Sequence, residues 1–105
     1  MYDNIIPAVE QMKEIFNAEA VYIFGVKYNS QEMEYVTDFD VCIVAEFDES
    51  DRNALLKKAY MQTDCDVPFD VFLYTPEDFE KFSKDPGSFV SRILRVGRLY
   101  YGKTK

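Results

Sequence analysis

Three short apolar runs, each rich in β-branched and aromatic residues, limit the folds open to this chain. They occupy residues 20–24, 39–45 and 69–74, and runs of this length and content are typical of buried strands. Gly25 follows the first run, and the polar, aperiodic residues 26–37 then predict a loop or a loose hairpin connection. The sequence therefore predicts a small β-sheet with three strands, and a candidate fourth strand near its C-terminal end.

The segments between these strands predict four helices. The first has apolar residues at helical spacing, and the third begins with threonine and proline, a frequent helix start. Asp48 or Ser50 is expected to cap the second. The predicted helices cover residues 5–17, 49–62, 76–82 and 88–96, and the candidate fourth strand covers residues 99–101. The order α-β-β-α-β-α-α predicts an α+β fold, a small mixed β-sheet flanked by helices, in a single domain over residues 1–105.

Length and N-terminal sequence bear on domain number and location. At 105 residues, 48% of them apolar, the chain has room for one packed core. No basic region followed by an apolar stretch begins the sequence, and no apolar run has the length of a membrane span, so we expect neither a signal peptide nor a membrane segment. Cys42 and Cys65 are far apart and form no metal- or redox-type pair. We therefore expect a cytoplasmic protein with ordinary reduced thiols.

The sequence contains no histidine. This excludes catalysis by Ser-His-Asp or Cys-His arrangements, histidine-based proton relays and most zinc sites. Any chemistry must therefore rest on carboxylates, lysine or arginine, tyrosine or backbone groups, with or without a hard cation.

The charge is large and unevenly distributed. A net charge of −7 argues against broad nucleic-acid binding through a basic surface. Residues 32–51 are strongly acidic, whereas the last quarter of the chain is basic. The last helix is expected to carry basic and apolar residues on opposite sides, Arg92, Arg95 and Arg98 on one and Phe89, Ile93 and Val96 on the other. The basic side is interpreted as a solvated face, with contact to RNA or an acidic partner as the alternative.

Two aspartates at the start of the second predicted strand are the first candidates for a functional site. Asp38 and Asp40 are two residues apart, so both carboxylates lie on one face of a strand. Two carboxylates so close repel each other, and a cation usually holds them together. With no histidine and no paired cysteines, the suitable ions are Mg²⁺ and Mn²⁺. The alternative is a polar strand end whose acids are solvated.

A third aspartate lies within the third predicted strand. An acid inside an apolar strand is costly unless it faces a site, which makes Asp70 a candidate third member. If the third strand lies beside the second, Asp70 meets Asp38 and Asp40, and three carboxylates suffice to hold two metal ions for an in-line phosphoryl or nucleotidyl displacement. Asp64 and Asp66 form a rival pair nearby, in a turn where aspartate is common for backbone reasons.

The glycine directly after the first strand is a candidate for phosphate binding. Gly25 lets the backbone approach a ligand closely, and the N–H groups of Gly25 and Val26 can hold phosphate. Lys27 adds a cation at the same place, and otherwise reads as an ordinary exposed lysine.

Several segments of the sequence resemble one known superfamily. Residues 23–26 (IFGV) and 37–41 (TDFDV) are similar to the strand, glycine and Asp-hydrophobic-Asp pattern of polymerase-β-like nucleotidyltransferases, and the spacer between them has the length found in that superfamily. Residues 74–79, 85–89 and 97–102 resemble the C-terminal half of its minimal bacterial or archaeal members. The resemblance thus covers nearly the whole chain.

The resemblance implies the chemistry of a nucleotidyltransferase. It implies transfer of a nucleotide from a nucleoside triphosphate, with ATP as the first expectation, to a hydroxyl of a protein or nucleic acid. Asp38 and Asp40 would bind Mg²⁺ (or Mn²⁺), and Asp70 would complete the metal site and help to deprotonate the acceptor hydroxyl. The implied nucleotide-binding residues are Gly25, Val26 and Lys27.

The resemblance also indicates partners. Some small members of the superfamily are antitoxins that pair with a helical HEPN-type ribonuclease toxin, and some of these adenylylate the toxin. A chain of this length has no separate domain for recognising a base or an acceptor. A HEPN-type protein, or a second copy of the chain in a homodimer, is therefore a candidate partner.

The chain departs from the superfamily pattern in the phosphate-binding segment. Val26 stands where the superfamily has serine or glycine, and Lys27 keeps a cation although the second glycine is absent. Two hypotheses follow, a metal-dependent nucleotidyltransferase and a catalytically degenerate binding module that holds a partner protein. A small acidic structural domain without a ligand is the third.

Overall fold

The structure, a computed structural model, describes residues 2–29, 31 and 35–102. It confirms the predicted α+β class, and the candidate terminal strand is present. The elements are α1 (Ile6–Phe16), β1 (Ala20–Tyr28), β2 (Val36–Val44), α2 (Arg52–Gln62), β3 (Phe69–Tyr74), α3 (Pro76–Ser83), α4 (Phe89–Val96) and β4 (Arg98–Gly102), with one 3₁₀ turn, Glu49–Asp51, before α2. None of the helices in this part of the chain is both long enough and apolar enough to cross a membrane.

The strands form a mixed sheet in the order β3-β2-β1-β4. β1 is antiparallel to β2 and to β4, whereas β2 and β3 are parallel. Because parallel strands need a crossover connection, the chain passes through α2 between β2 and β3. β1 and β2 are therefore the central strands, each paired on both edges.

The two faces of the sheet carry separate apolar clusters. Alternate residues of a strand point to opposite faces, and the larger cluster packs one face against α1 and α2. Buried members of this main core include Val9, Met12, Val21, Phe39 and Ile43. A smaller cluster on the other face contains Phe24, Cys42 and Ile93, with Phe72 and Phe79 packed against it. The sheet is thus covered by helices on both faces, and α3 and α4 cover the second one.

β1 does not end at Gly25, as the sequence indicated, but continues past it through a β-bulge. Phe24 pairs with Asp40 and Lys27 pairs with Asp38, so between these pairs β1 contains one residue more than β2. Gly25 has a φ of 59°, the left-handed conformation that such a bulge assigns to glycine. The strand therefore bends at the glycine and keeps its pairing with β2.

The loop predicted over residues 26–37 is correspondingly shorter. Its first residues belong to β1, and β2 begins at Val36. The Asn4 side chain donates to the Val36 carbonyl at 2.8 Å and accepts from the Val36 N–H at 3.1 Å, which secures the start of β2. Residues 30 and 32–34 lie outside the described part of the chain.

Two helix starts follow the local signals in the sequence. The Asp48 carboxylate, rather than the Ser50 hydroxyl, accepts the capping bond at the start of the 3₁₀ turn, from the Ser50 N–H. Thr75 Oγ1 accepts from the Asp78 N–H at the start of α3. Side-chain caps of this kind stabilise a helix by about 1 kcal/mol.

Serine hydroxyls hold α4 over the sheet. Ser88 caps α4 by accepting from the Ser91 N–H, and its own hydroxyl donates to the Phe82 carbonyl. The buried Ser91 hydroxyl donates to the Asp85 carbonyl at 2.6 Å. These bonds tie the start of α4 to the segment that follows α3. They fix the helix that forms one wall of the candidate site.

Candidate functional site

Three aspartates lie next to one another on the sheet face that α3 and α4 cover. Asp40 of β2 and Asp70 of β3 are Cα partners in the parallel pairing, and paired residues of neighbouring strands project to the same face. Asp38, two residues before Asp40, shares that face by the alternation of the strand. The structure thus brings together the three acids that the sequence singled out.

The electrostatics of Asp40 reflect this arrangement. Partial burial raises the pKa of Asp40 above its ordinary value, and the negative charges of Asp70 and Asp38 raise it further. The positive charge of Lys27 acts in the opposite direction. Three carboxylates and one lysine therefore form a single electrostatic group at this point of the sheet.

Asp38 and Asp70 act on the charge of Asp40, but the three carboxylates do not converge on a single point. Within residues 2–29, 31 and 35–102, no three His, Cys, Asp or Glu side chains are arranged so that they could hold a metal ion. The charge effect on Asp40 and the separation of the carboxylates are compatible, because charge repulsion acts over much longer distances than metal–oxygen bonds of about 2.0–2.6 Å. The available donors are carboxylate oxygens, the kind that Mg²⁺ and Mn²⁺ prefer.

Gly25 faces Asp40 across the bulge. A Cβ atom at residue 25 would overlap the Oδ2 atom of Asp40 and lie 3.1 Å from its Cγ. The space that the missing side chain leaves is thus filled by a carboxylate of the protein itself. The sequence predicted close approach of a ligand to this glycine, whereas the group that approaches it in the structure is Asp40.

The two residues after Gly25 have different surroundings. Val26 is partly buried and packs against the main core, on the sheet face opposite the aspartates. Lys27 is exposed, and it lies opposite Asp38 in the pairing of β1 with β2. Of the predicted nucleotide-binding residues, Lys27 is therefore the one whose side chain lies beside the carboxylates, and Val26 can offer only its backbone.

A cavity adjoins Asp40 between the sheet and α4. We call it the α4 cavity; its volume is about 290 Å³. Its lining consists of Phe24, Gly25, Asp40, Phe72, Phe89, Arg92, Ile93 and Val96. The wall is largely apolar, with one carboxylate and one guanidinium as its charged groups. This combination is typical of small-molecule sites.

Three phenylalanines form the wall of the α4 cavity. The ring centroids of Phe24 and Phe72 are 5.6 Å apart, and those of Phe72 and Phe89 are 5.1 Å apart. Phe24 and Phe89 meet edge to face at 5.8 Å. Phe89 is 42% exposed and the other two are more buried, so Phe89 presents the accessible aromatic surface.

Sequence reasoning missed the position of Arg92. It placed Arg92 on the side of α4 opposite the apolar residues, whereas the structure has Arg92, Phe89, Ile93 and Val96 lining one cavity. The signal was present in the sequence, because positions 89, 92, 93 and 96 have the spacing of one helix face.

The rival aspartate pair lies elsewhere. Asp64 and Asp66 are exposed in the connection between α2 and β3. The Asp64 N–H donates to Gln11 of α1, on the opposite side of the sheet from α4. This places Asp64 on the α1 side of the sheet, whereas Asp38 and Asp40 lie on the face that α3 and α4 cover.

Comparison with known proteins adds no family assignment. No protein-family model matches the chain, and no match is found among curated proteins or solved structures. The resemblance of residues 23–26 and 37–41 to nucleotidyltransferases therefore stays a prediction, and the site is interpreted from its own geometry.

Proposed function

We propose that this protein is a metal-dependent nucleotidyltransferase that acts in the cytoplasm. It transfers a nucleoside monophosphate from a nucleoside triphosphate, with ATP as the first candidate, to a hydroxyl of a protein or nucleic acid. The observation that carries the proposal is the pairing of Asp40 with Asp70, with Asp38 on the same face, beside a cavity of ligand-binding character.

Asp38 and Asp40 are the proposed ligands of Mg²⁺ or Mn²⁺, and Asp70 completes the set. Since the backbone already places the three residues side by side, metal binding requires rotation of the side chains within their ordinary rotamers. The bound ion would neutralise phosphate charge and polarise the phosphorus under attack. Asp70 is exposed, and this carboxylate can accept the proton of an incoming acceptor hydroxyl.

The nucleotide phosphates are proposed to meet β1 at its bulge. Lys27 is the cation of that strand, and the positive charge of its ammonium group acts to lower the pKa of Asp40. The N–H groups of Gly25 and Val26 are the proposed backbone contacts. They would stand in for the hydroxyl that a serine at position 26 supplies in the family the sequence resembles.

A second function, a binding module that holds a partner protein without catalysis, is supported by one observation. Residue 26 is a valine that packs against the main core, so neither its side chain's chemistry nor its position serves phosphate binding. A HEPN-type protein or a second copy of the chain is the candidate partner. A complex that persists in the Asp38→Ala/Asp40→Ala variant, together with no nucleotide turnover by the wild type, would support this alternative.

Calorimetric titration with ATP, GTP, CTP and UTP in the presence of Mg²⁺ or Mn²⁺ tests the enzyme proposal. The wild type is expected to bind at least one nucleotide only when the metal is present, and Asp38→Ala/Asp40→Ala is expected to lose that binding. Asp64→Ala/Asp66→Ala is the matched control, because it removes an equally spaced acidic pair from the exposed connection between α2 and β3. A folded wild type that binds no nucleotide, or equal loss in both double variants, contradicts the proposal.

A further inference from the structure

The α4 cavity combines polar and apolar groups in its lining. Its polar groups include the backbone of Gly25 and the carboxylate of Asp40, which is itself one of the proposed metal ligands. Apart from Arg92, the rest of the lining is formed by aromatic and aliphatic side chains, among which Phe89 is the exposed ring. A ligand that fills this space must therefore combine a flat or apolar part with a strongly polar part.

Arg92 lines the same cavity without an ion-pair partner. Its side chain is exposed, and within the described part of the chain no carboxylate forms a salt bridge with it. Asp40 and Arg92 thus face one space without being bonded to each other. A guanidinium group in this position can bind a phosphate group with two parallel hydrogen bonds, one to each of two oxygens.

The position of the cavity beside Asp40 and its volume restrict what the cavity can hold. If the carboxylates bind the metal–phosphate end of a nucleotide, the space immediately beyond Asp40 receives whatever is attached to the phosphates. A cavity of about 290 Å³ is just below the usual size range of small-molecule pockets, roughly 300–1,000 Å³. This volume suits one nucleoside and is too small for a run of several nucleotides.

We propose that the α4 cavity binds the nucleoside of the triphosphate, with the base against Phe89 and Arg92 on a phosphate oxygen. The inference rests on the proposed function and adds to it the binding mode of the substrate. It assigns to α4 a cation for the phosphates, in addition to Lys27 on β1. Selectivity for a nucleotide over inorganic polyphosphate then comes from the aromatic wall.

Two pairs of variants on α4 test this binding mode. Arg92→Ala is compared with Arg95→Ala, and Phe89→Ala with Leu94→Ala, a residue that is also 42% exposed but does not line the cavity. Each protein is titrated with ATP and with inorganic tripolyphosphate in Mg²⁺, and circular dichroism confirms that each variant is folded.

Arg92→Ala is expected to weaken binding of both ligands about tenfold or more, since it removes charge-assisted hydrogen bonds to phosphate. Phe89→Ala is expected to weaken ATP binding about tenfold and to leave tripolyphosphate binding unchanged, because a base stacks on the ring and a phosphate does not. Arg95→Ala and Leu94→Ala should match the wild type.

The outcomes separate this inference from the proposed function. Metal-dependent ATP binding by the wild type with unchanged affinity in Arg92→Ala or Phe89→Ala overturns the binding mode alone. Equal loss of ATP and tripolyphosphate binding in Phe89→Ala also overturns it, since the ring would then serve the phosphates. A wild type that binds no nucleotide overturns both proposals.

Discussion

Gly25 and Asp40 lie so close together that a Cβ atom on residue 25 would overlap the carboxylate of residue 40. The Asp40 carboxylate therefore occupies the space that glycine leaves open at the bulge of β1. A side chain on β1 at this point would displace the carboxylate that carries the proposed metal site.

We predict that Gly25→Ala destabilises the fold by about 1–3 kcal/mol. Alanine is strained at a φ of 59°, and its methyl group would meet Asp40. Urea unfolding measures this change. Gly87→Ala is the control, since a Cβ there would lie 3.6 Å from Asp85 Oδ1, an ordinary contact. Its stability should stay within about 0.5 kcal/mol of the wild type, and an equal effect of both variants contradicts the prediction.

Asp40→Asn should raise the thermal midpoint of the metal-free protein at pH 7. Burial and the charges of Asp70 and Asp38 raise the pKa of Asp40, which means that its ionised form is unfavourable in the folded state. The group is partly solvated, so we expect a gain below about 1 kcal/mol, or a few degrees. The midpoint is measured in chelator by calorimetry.

Divalent metal should raise the thermal midpoint of the wild type above that of Asp40→Asn. Saturating Mn²⁺ is expected to raise the midpoint of the wild type by mass action and to leave Asp40→Asn unchanged. Asp64→Asn should respond to Mn²⁺ as the wild type does. An Asp40→Asn variant that is less stable than the wild type in chelator would show that the carboxylate is stabilising without metal.

Tyr100→Phe should weaken the contact between β4 and α1. The Tyr100 hydroxyl donates to Glu10 at 2.5 Å. Loss of this bond should lower the free energy of unfolding at pH 7 by about 0.5–1 kcal/mol. The value is small because the Glu10 side chain is 44% exposed, so water can replace the lost donor. Urea unfolding measures the loss. Tyr101→Phe, a neighbouring change with no hydroxyl bond in the described residues, should be near neutral. Equal destabilisation by both variants contradicts the assignment.

The cost of Tyr100→Phe should depend on pH. The bond from Tyr100, and then that from Lys13, lowers the pKa of Glu10 in the folded protein. A lowered carboxyl pKa stabilises the fold above its unfolded value, about 4.3, and this contribution is lost as the pH falls through the folded value. The difference between wild type and variant should therefore shrink when unfolding is repeated near pH 3. A constant difference would rule out the ionised carboxylate as the acceptor.

The two thiols should differ in reactivity. Burial raises the pKa of Cys42 to about 12, whereas Cys65 is half-buried with a smaller rise. At pH 8 an aromatic disulfide reagent should therefore modify no more than one thiol of the native protein, that of Cys65. Both should react in urea. Rapid modification of Cys42 in a native Cys65→Ser variant would contradict the buried position of Cys42.

Local signals in the sequence predicted much of the fold. The strand over residues 69–74 agrees with β3 residue for residue, because its β-branched and aromatic composition is bounded by clear turn residues. The cap at Thr75 was equally local, since it depends on a side chain and an N–H group three residues apart. The alternation of Asp38 and Asp40 placed both on one face for the same reason.

What the sequence did not show depends on pairing between distant segments. β1 continues past Gly25 because β2 offers hydrogen-bond partners to Lys27, and no local pattern in residues 26–37 predicts that register. The place of Arg92 at the α4 cavity likewise depends on how α4 lies on the sheet. That orientation is set by Ser91 and the end of α3, through bonds that the sequence alone does not reveal.

The position of β4 at the edge of the sheet has a consequence for the order of folding. Ala20 of β1 pairs with Gly102 of β4, so the central strand β1 obtains its second neighbour only after nearly all of the described chain has been synthesised. Contacts between such distant residues form late, since closing a long loop costs entropy before the contact is made. Until then β1 has a free edge, and a nascent chain is most prone to misassociate through that edge.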